Sequence, residues 1–285
     1  MQSLIAHTVT GPVEYTLLGK GPVVLVSHGT SSDCFSTELA EPLLEAGFSV
    51  LTPSRPGYGR TDLTSGPGPT QAAGALAALL DHLQIETCAM IALSGGGPTG
   101  VTLAALYPQR VTRLILAAAV TRPENRLNEP SYKNQMAFYG PLHTITWALL
   151  GLMGRLSPRR MAHQTLAIFS THDPDDGLSQ LGNEGIVKIS RFYQGHSARK
   201  GALNDATHTV GAALLRSIYQ PTLVIHSRED KSVPFEHAEW SLEHIPLAEL
   251  CEAGITGHFF WVDPEYPRIC RKLVAFLREG LLVQS

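Results

Sequence analysis

A serine set among glycines is the first place in this chain where residue types and spacing suggest chemistry. The stretch ALSGGGPTG, residues 92–100, follows an apolar run and opens a helical pattern. Ser94 therefore falls at a strand-to-helix turn. Its small neighbours Ala92, Gly95 and Gly96 let chains approach there, and a strained backbone can hold a hydroxyl clear of a sheet. Pro98 suits the first helical turn, which tolerates a missing N–H. With the Gly95 N–H at a helix N-terminus to receive developing negative charge, Ser94 reads as a nucleophile. A phosphate-binding glycine loop or a plain tight turn is the alternative, but a phosphate loop normally wants a lysine, and none stands nearby.

A free hydroxyl is a poor nucleophile at neutral pH, so a base and a group to orient it must come from elsewhere in the chain. After the strand pattern PTLVIHS comes REDKSVP, which puts Glu229 and Asp230 at a strand's C-terminal end, where open α/β sheets build their sites. Asp230, just before the turn into VPFEHAEW, is the candidate orienter; Glu229 suits a solvated turn. The other location for an acid, after RLILAAA, offers no carboxylate until Glu124. Of twelve histidines, His258 in AGITGHFFW follows the last strand in a loop able to reach back over the sheet. His82, His226, His237 and His244 lie in element patterns that suit surface or core roles. In VVLVSHGTSSD, His28 and Gly29 shape a turn that delivers Thr30, whose N–H can pair with that of Gly95 as an oxyanion hole. Ser31, Ser32 or Asp33 can cap the helix that follows.

The elements that must position these residues alternate in the first 120 positions. Short β-branched runs (VEYTLL, VVLVSH, SVLTP, CAMIAL, RLILAAA) are separated by helical patterns over 35–46, 70–83 and 98–106. That alternation predicts an α/β fold with a mostly parallel sheet, its first two strands forming an antiparallel edge. The rhythm returns with strand PTLVIHS, helix FEHAEWSLEHI, strand AELCEA and a helix over 264–277. From about 121 to 204 it gives way to helical patterns such as HTITWALLGLMGRL and PRRMAHQTLAIF, with turn signals such as HDPDDG between them. This block reads as a helical insertion over a sheet formed by 1–120 and 205–285.

The 285 residues are 44% apolar and 16% charged, enough for a large core. A net charge of −3 gives no reason to expect nucleic acid or anionic membranes as partners, and no apolar run reaches the roughly 20 residues that span a bilayer. A soluble cytoplasmic protein acting on small neutral molecules is expected, without metal or other cofactor. The four cysteines lack metal-ligand spacing and read as buried thiols. Residues 121–204 hold ten basic and six acidic side chains, which fits either a solvated basic face or an acidic substrate. Phe138, Trp147 and Phe169 are candidates to line an apolar pocket, together with Tyr139, Met153, Met161, Phe192 and Tyr193; packing of the helices explains such residues as well.

The order Ser94, Asp230, His258 behind an HG turn resembles the α/β-hydrolase superfamily. SRPGYGRTD, LSGGGPTGVTLAALYPQRV, PTLVIHSREDKSVPFEHA and GHFFWVDPE are similar to that family's segments after the fourth strand, at the nucleophile, at the acid and at the base. Ala92 stands where the family's G-x-S-x-G turn has its first glycine, and Ser54 where many members have aspartate. The resemblance implies a helical cap over about 121–204. It also implies hydrolysis of a carboxylic ester of small to medium acyl length, with Ser94 as nucleophile, His258 as base, Asp230 as orienter and the Thr30 and Gly95 N–H groups stabilising the oxyanion. Lactone, thioester or carbon–carbon bond hydrolysis and cofactor-free perhydrolysis can use the same three residues. A ligand receptor with an idle site is the non-enzymatic alternative. Oligomeric state is not legible.

Overall fold

The computed structural model describes residues 2–36, 38–123, 143–195 and 200–282. Its strands are β1 (Leu4–Thr8), β2 (Gly11–Leu18), β3 (Val23–Ser27), β4 (Ser49–Pro53), β5 (Cys88–Leu93), β6 (Val111–Ala117), β7 (Thr222–Ser227) and β8 (Ala248–Ala253). They form one sheet in the order β1-β2-β4-β3-β5-β6-β7-β8. Pairing is parallel from β4 through β8, and only β2 runs against its neighbours. Every residue of β4, β5 and β7 is buried. Strands covered on both faces have no solvent side to alternate with, which is why these segments read as continuous apolar runs.

Helices supply the two covers. α1 (Ala40–Glu45), α2 (Pro69–His82) and α3 (Gly97–Leu106) follow β3, β4 and β5 in the chain. α2 starts at a proline, whose lack of an N–H costs nothing there, and buries an alanine- and leucine-rich face. Its residues Leu76, Leu79 and Leu80 share an apolar cluster with Val101 and Leu103 of α3 and with Met90 of β5. The opposite face of the sheet packs Leu43 of α1 and Leu273 and Phe276 near the C-terminus.

Between β6 and β7 lie α4 (His143–Leu156), α5 (Pro158–Phe169), α6 (Pro174–Gln180), α7 (Gly182–Gly195) and α8 (Lys200–Asp205). HDPDDG proves to be both turn and helix start, because the Asp173 carboxylate accepts the N–H groups of Asp175 and Asp176. Trp147, Met161, Leu166, Ile189 and Tyr193 of this block join the cluster that holds Phe259, Phe260 and Trp261. Backbone seams also tie the block to the sheet's loops. The Thr171 N–H donates to the Glu229 carbonyl at 2.9 Å and the Gly201 N–H to the Gly57 carbonyl at 3.1 Å. α9 (Ala212–Arg216), α10 (Glu236–His244) and α11 (Tyr266–Leu282) complete the chain, and α10 and α11 flank β8.

Two expectations need correction. The antiparallel edge is not VEYTLL with VVLVSH: β2 lies between β1 and β4, while β3 sits inside the sheet between β4 and β5. VVLVSH is apolar toward both faces and belongs in the interior; in β1 only Ala6 is buried, too weak a pattern to announce a strand. The helix expected over 35–46 begins only at Ala40, because residues 31–36 form a turn in which Asp33 accepts the Phe35 N–H at 2.9 Å. All four cysteines are free thiols, three of them buried. Among the described residues no helix is long and apolar enough to cross a membrane.

Candidate active site

Ser94 directly follows β5 and starts a single 3-10 turn, Ser94–Gly96, that runs into α3. Its φ is +50°, a left-handed conformation costing about 1–3 kcal/mol for a side-chain-bearing residue. The surroundings hold it there: the Val120 N–H donates to the Ser94 carbonyl at 3.0 Å. A Cβ on Gly96 would strike the Ser27 carbonyl oxygen and one on Gly97 the Val120 carbonyl oxygen, so the glycines after Ser94 let the turn pack against β3 and the end of β6.

Asp230 closes the turn after β7, and His258 lies in the 3-10 turn Gly257–Val262 after β8. His258 Nε2 stands 2.9 Å from Ser94 Oγ, and its Nδ1 is 2.8 Å from Asp230 Oδ2. The other Asp230 oxygen accepts the N–H groups of Ser232 and Val233, both at 2.8 Å, so the carboxylate cannot rotate without stranding buried donors. His226 comes within 3.6 Å of Asp230 Oδ2, but its Nε2–H donates to the Val233 carbonyl at 2.8 Å, and burial lowers its pKa. Glu229 does not meet the imidazole; its carboxylate accepts the Thr171 hydroxyl near the surface.

The HG turn lies beside Ser94. A Cβ on Gly29 would be 3.3 Å from Ser94 Cβ, and one on Gly95 would collide with Thr30 Oγ1, so Thr30 lies against Gly95 beside the serine. His28 is fully buried; its Nδ1–H donates to the Gly29 carbonyl at 2.8 Å and its Nε2 accepts the Arg55 N–H at 3.0 Å. Burial, reinforced by the Arg55 charge, lowers its pKa to about 3, so it stays neutral and shapes the turn. Where many relatives were expected to carry aspartate, Ser54 donates to Glu14 Oε2 at 3.0 Å and accepts the Cys34 N–H at 3.1 Å.

A cavity of about 70 Å³ opens onto Ser94 and His258. Trp147, Phe169, Phe192, Tyr193, Phe259 and Trp261 make its apolar wall. Phe169 stacks on the His258 ring at 6.1 Å between centroids. Of the expected pocket residues, Met153 and Met161 pack in the core cluster instead, and Phe138 and Tyr139 lie outside the described residues. Glu38 and Asp205 are carboxylates of the lining, and among the described residues no lysine or arginine joins them there.

Sequence reasoning missed Asp205 and Arg55. Both are nine-tenths or more buried, and Asp205 Oδ1 and Oδ2 each accept a guanidinium N–H of Arg55 at 2.7 Å. A lone aspartate at the end of a short helix carries no signal of a partner 150 positions earlier. The Phe259 and Trp261 side chains were in view in GHFFW, but only the histidine was read. Among the described residues no group of three or more histidine, cysteine, aspartate or glutamate side chains could hold a metal ion.

The profile of the alpha/beta hydrolase fold family matches residues 22–264. The chain is 36% identical over 271 residues to the uncharacterized hydrolase YcgS of Bacillus subtilis, covering 94% of this chain and 95% of that one. It is 28% identical to a 2-hydroxy-6-oxononadienedioate/2-hydroxy-6-oxononatrienedioate hydrolase of Cupriavidus pinatubonensis, over 82% of this chain and 77% of the other. Among solved structures, an alpha/beta hydrolase fold protein from Nakamurella multipartita superposes with a TM-score of 0.84 at 26% identity, covering 98% of this chain and all of that one.

Proposed function

The chain belongs to the alpha/beta hydrolase fold family, and from that premise we propose that it is a serine hydrolase cleaving carboxylic esters of small to medium acyl length. Ser94 Oγ attacks the ester carbonyl carbon while His258 Nε2 takes its proton. Asp230, bonded to Nδ1–H, fixes the tautomer that leaves Nε2 free to accept and stabilises the imidazolium that forms. The carbonyl oxygen becomes an oxyanion facing the N–H groups of Thr30 and Gly95. Collapse breaks the C–O bond, and the alcohol leaves with the proton held on Nε2. Water then gives its proton to His258 and attacks the acyl carbon, and the acid departs as the proton returns to Ser94.

The observation that carries this reading is the unbroken relay Ser94–His258–Asp230, with links of 2.9 and 2.8 Å, opening onto a cavity beneath an apolar wall. The helical block acts as a cap over that cavity. Its aromatic wall suits an apolar acyl chain, each buried methylene contributing roughly 0.8 kcal/mol until the space is full. A carbon–carbon bond hydrolase using the same residues is the second reading, favoured by the relative named for a dioate substrate. The Glu38 carboxylate on the described lining weighs toward a neutral acyl group.

The test is a panel of aryl esters graded in acyl length, run beside labelling with a fluorophosphonate. Ser94→Ala is expected to abolish labelling and lower kcat by roughly 10⁴-fold or more. Labelling that persists in this variant would overturn the assignment.

A further inference from the structure

Asp205 occupies an unusual place for a buried carboxylate: it reaches from α8 to the wall of the cavity and touches the turn beside Ser94. Its oxygens accept four hydrogen bonds. Besides the two from Arg55, Tyr58 Oη donates to Oδ2 at 2.7 Å and Thr30 Oγ1 donates to Oδ2 at 3.0 Å. Arg55 is committed to the same turn from the other side, with Nε donating to the His28 carbonyl at 2.8 Å and its backbone N–H donating to His28 Nε2. Residues 28, 29 and 30 are thus held in succession by one network, through Arg55, the His28 ring and Asp205 respectively.

A buried ion pair is weak as a stabilising device, because removing two charges from water costs about as much as their attraction returns. Stability therefore gives no sufficient reason for a carboxylate at this spot. Electrostatics makes the spot costly for catalysis as well, since a bare negative charge beside Thr30 and Gly95 would repel an oxyanion forming there. The bidentate guanidinium cancels that charge, and Oδ2, which accepts one of its N–H groups and the Tyr58 hydroxyl, still accepts the Thr30 hydroxyl.

We infer that Asp205 is a positioning residue, which holds Thr30 by its hydroxyl so that the Thr30 N–H faces the developing oxyanion, and that Arg55 serves to neutralise it. This inference rests on the serine hydrolase reading. It also makes the oxyanion turn conditional on docking of the helical block, because Asp205 arrives from that block. The fit is close: a Cβ on Gly201 would collide with the Tyr58 ring, and the Gly201 N–H bonds to Gly57.

The experiment compares Thr30→Val, Thr30→Ser, Asp205→Asn and the double variant Thr30→Val/Asp205→Asn with the wild type. Three quantities are read: the second-order rate of fluorophosphonate labelling of Ser94, kcat and KM on a short aryl ester, and the affinity of an alkyl boronic acid, whose adduct mimics the tetrahedral intermediate. Melting temperature is followed alongside. Thr30→Val is expected to slow labelling and lower kcat by roughly 10- to 100-fold, the scale of a misplaced donor, with KM within about two-fold and boronate affinity lost in parallel. Thr30→Ser, which keeps the hydroxyl, restores all three. The double variant is no slower than the slower single one, because both remove the same link. Wild-type labelling and boronate affinity in Thr30→Val, or a change confined to melting temperature, would overturn the inference. Failure of the wild type to label at Ser94 would instead remove the serine hydrolase reading beneath it.

Discussion

Replacing Asp230 by asparagine tests the relay most sharply, because the structure dictates how the amide must sit. The carboxylate uses one oxygen for the N–H groups of Ser232 and Val233 and the other for His258 Nδ1–H. Asparagine has only one acceptor oxygen. If that oxygen turns toward His258, its NH₂ group faces two buried backbone donors, and each stranded donor costs about 1–3 kcal/mol. If it turns toward the backbone, the NH₂ group faces Nδ1 and forces that nitrogen to accept. The second arrangement wins, and it moves the imidazole proton to Nε2, the atom that must take the Ser94 proton. Activity is therefore expected to fall by roughly 10⁴-fold, or about 5.5 kcal/mol in the barrier, with a melting temperature near that of the wild type. Glu229→Gln is the control and should stay within a few-fold, since the Glu229 carboxylate accepts the Thr171 hydroxyl and does not meet His258. Steady-state kinetics on a short aryl ester, with thermal melting, decides. A loss under ten-fold in Asp230→Asn, or an equal loss in Glu229→Gln, would refute the tautomer argument.

Trp147→Ala should cost about 3–5 kcal/mol of stability, because the indole is buried against Phe192 and Tyr193, and should shift the best acyl length upward by opening the apolar wall. Urea unfolding and the ester panel check the two effects separately; an unchanged length profile makes Trp147 a packing residue only. Gly257→Ala should lower kcat by roughly 100-fold: φ there is +62°, and a Cβ would collide with the Phe169 carbonyl oxygen and lie 2.8 Å from that of Glu229, displacing the turn that carries His258. Wild-type kcat in that variant would show that the turn absorbs the strain. Stability should fall on acidification below about pH 6.5, well before carboxylates titrate. Burial lowers the pKa of His28 to about 3 and lowers that of His226, so the unfolded chain binds protons that the folded one refuses. Unfolding free energies at pH 7.5, 6 and 5 that do not change would contradict this.

The sheet was legible in the sequence wherever burial on both faces forces an unbroken apolar run, as in CAMIAL and TLVIHS. The meeting of Ser94, Asp230 and His258 was legible too, because each follows a strand's end, where few residues of those types stand. What escaped depends on distance in the chain rather than on pattern. β1 has one buried residue to show, and Leu4 pairs with Tyr15 across a turn. Asp205 and Arg55 look like ordinary surface charges until folding brings them together, since neither helical periodicity nor a turn motif marks a buried ion pair. The cavity wall mixes residues from α4, α5, α7 and α8 with the turns after β3, β5, β7 and β8, a convergence no local window contains.

That convergence bears on how the site is assembled. The helical block touches the loops that carry Asp230 and His258, not only the space above the cavity. Ser170 forms an isolated antiparallel bridge with Asp230, the Phe169 carbonyl accepts the Lys231 N–H at 3.3 Å, and the Phe169 ring stacks on His258. At the other side of the cavity, Asp205 holds the turn that carries Thr30. Asp230, His258 and the turn that carries Thr30 are thus each braced by the block, while Ser94 is braced by the sheet, through β5, Val120 and the close approach of Gly96 to β3. With Ser94 fixed to one body and Asp230 and His258 steadied by the other, the 2.9 and 2.8 Å links persist only while the two stay docked. Under the serine hydrolase reading the chemical step therefore requires these seams to be closed, whichever part of the block opens to admit substrate.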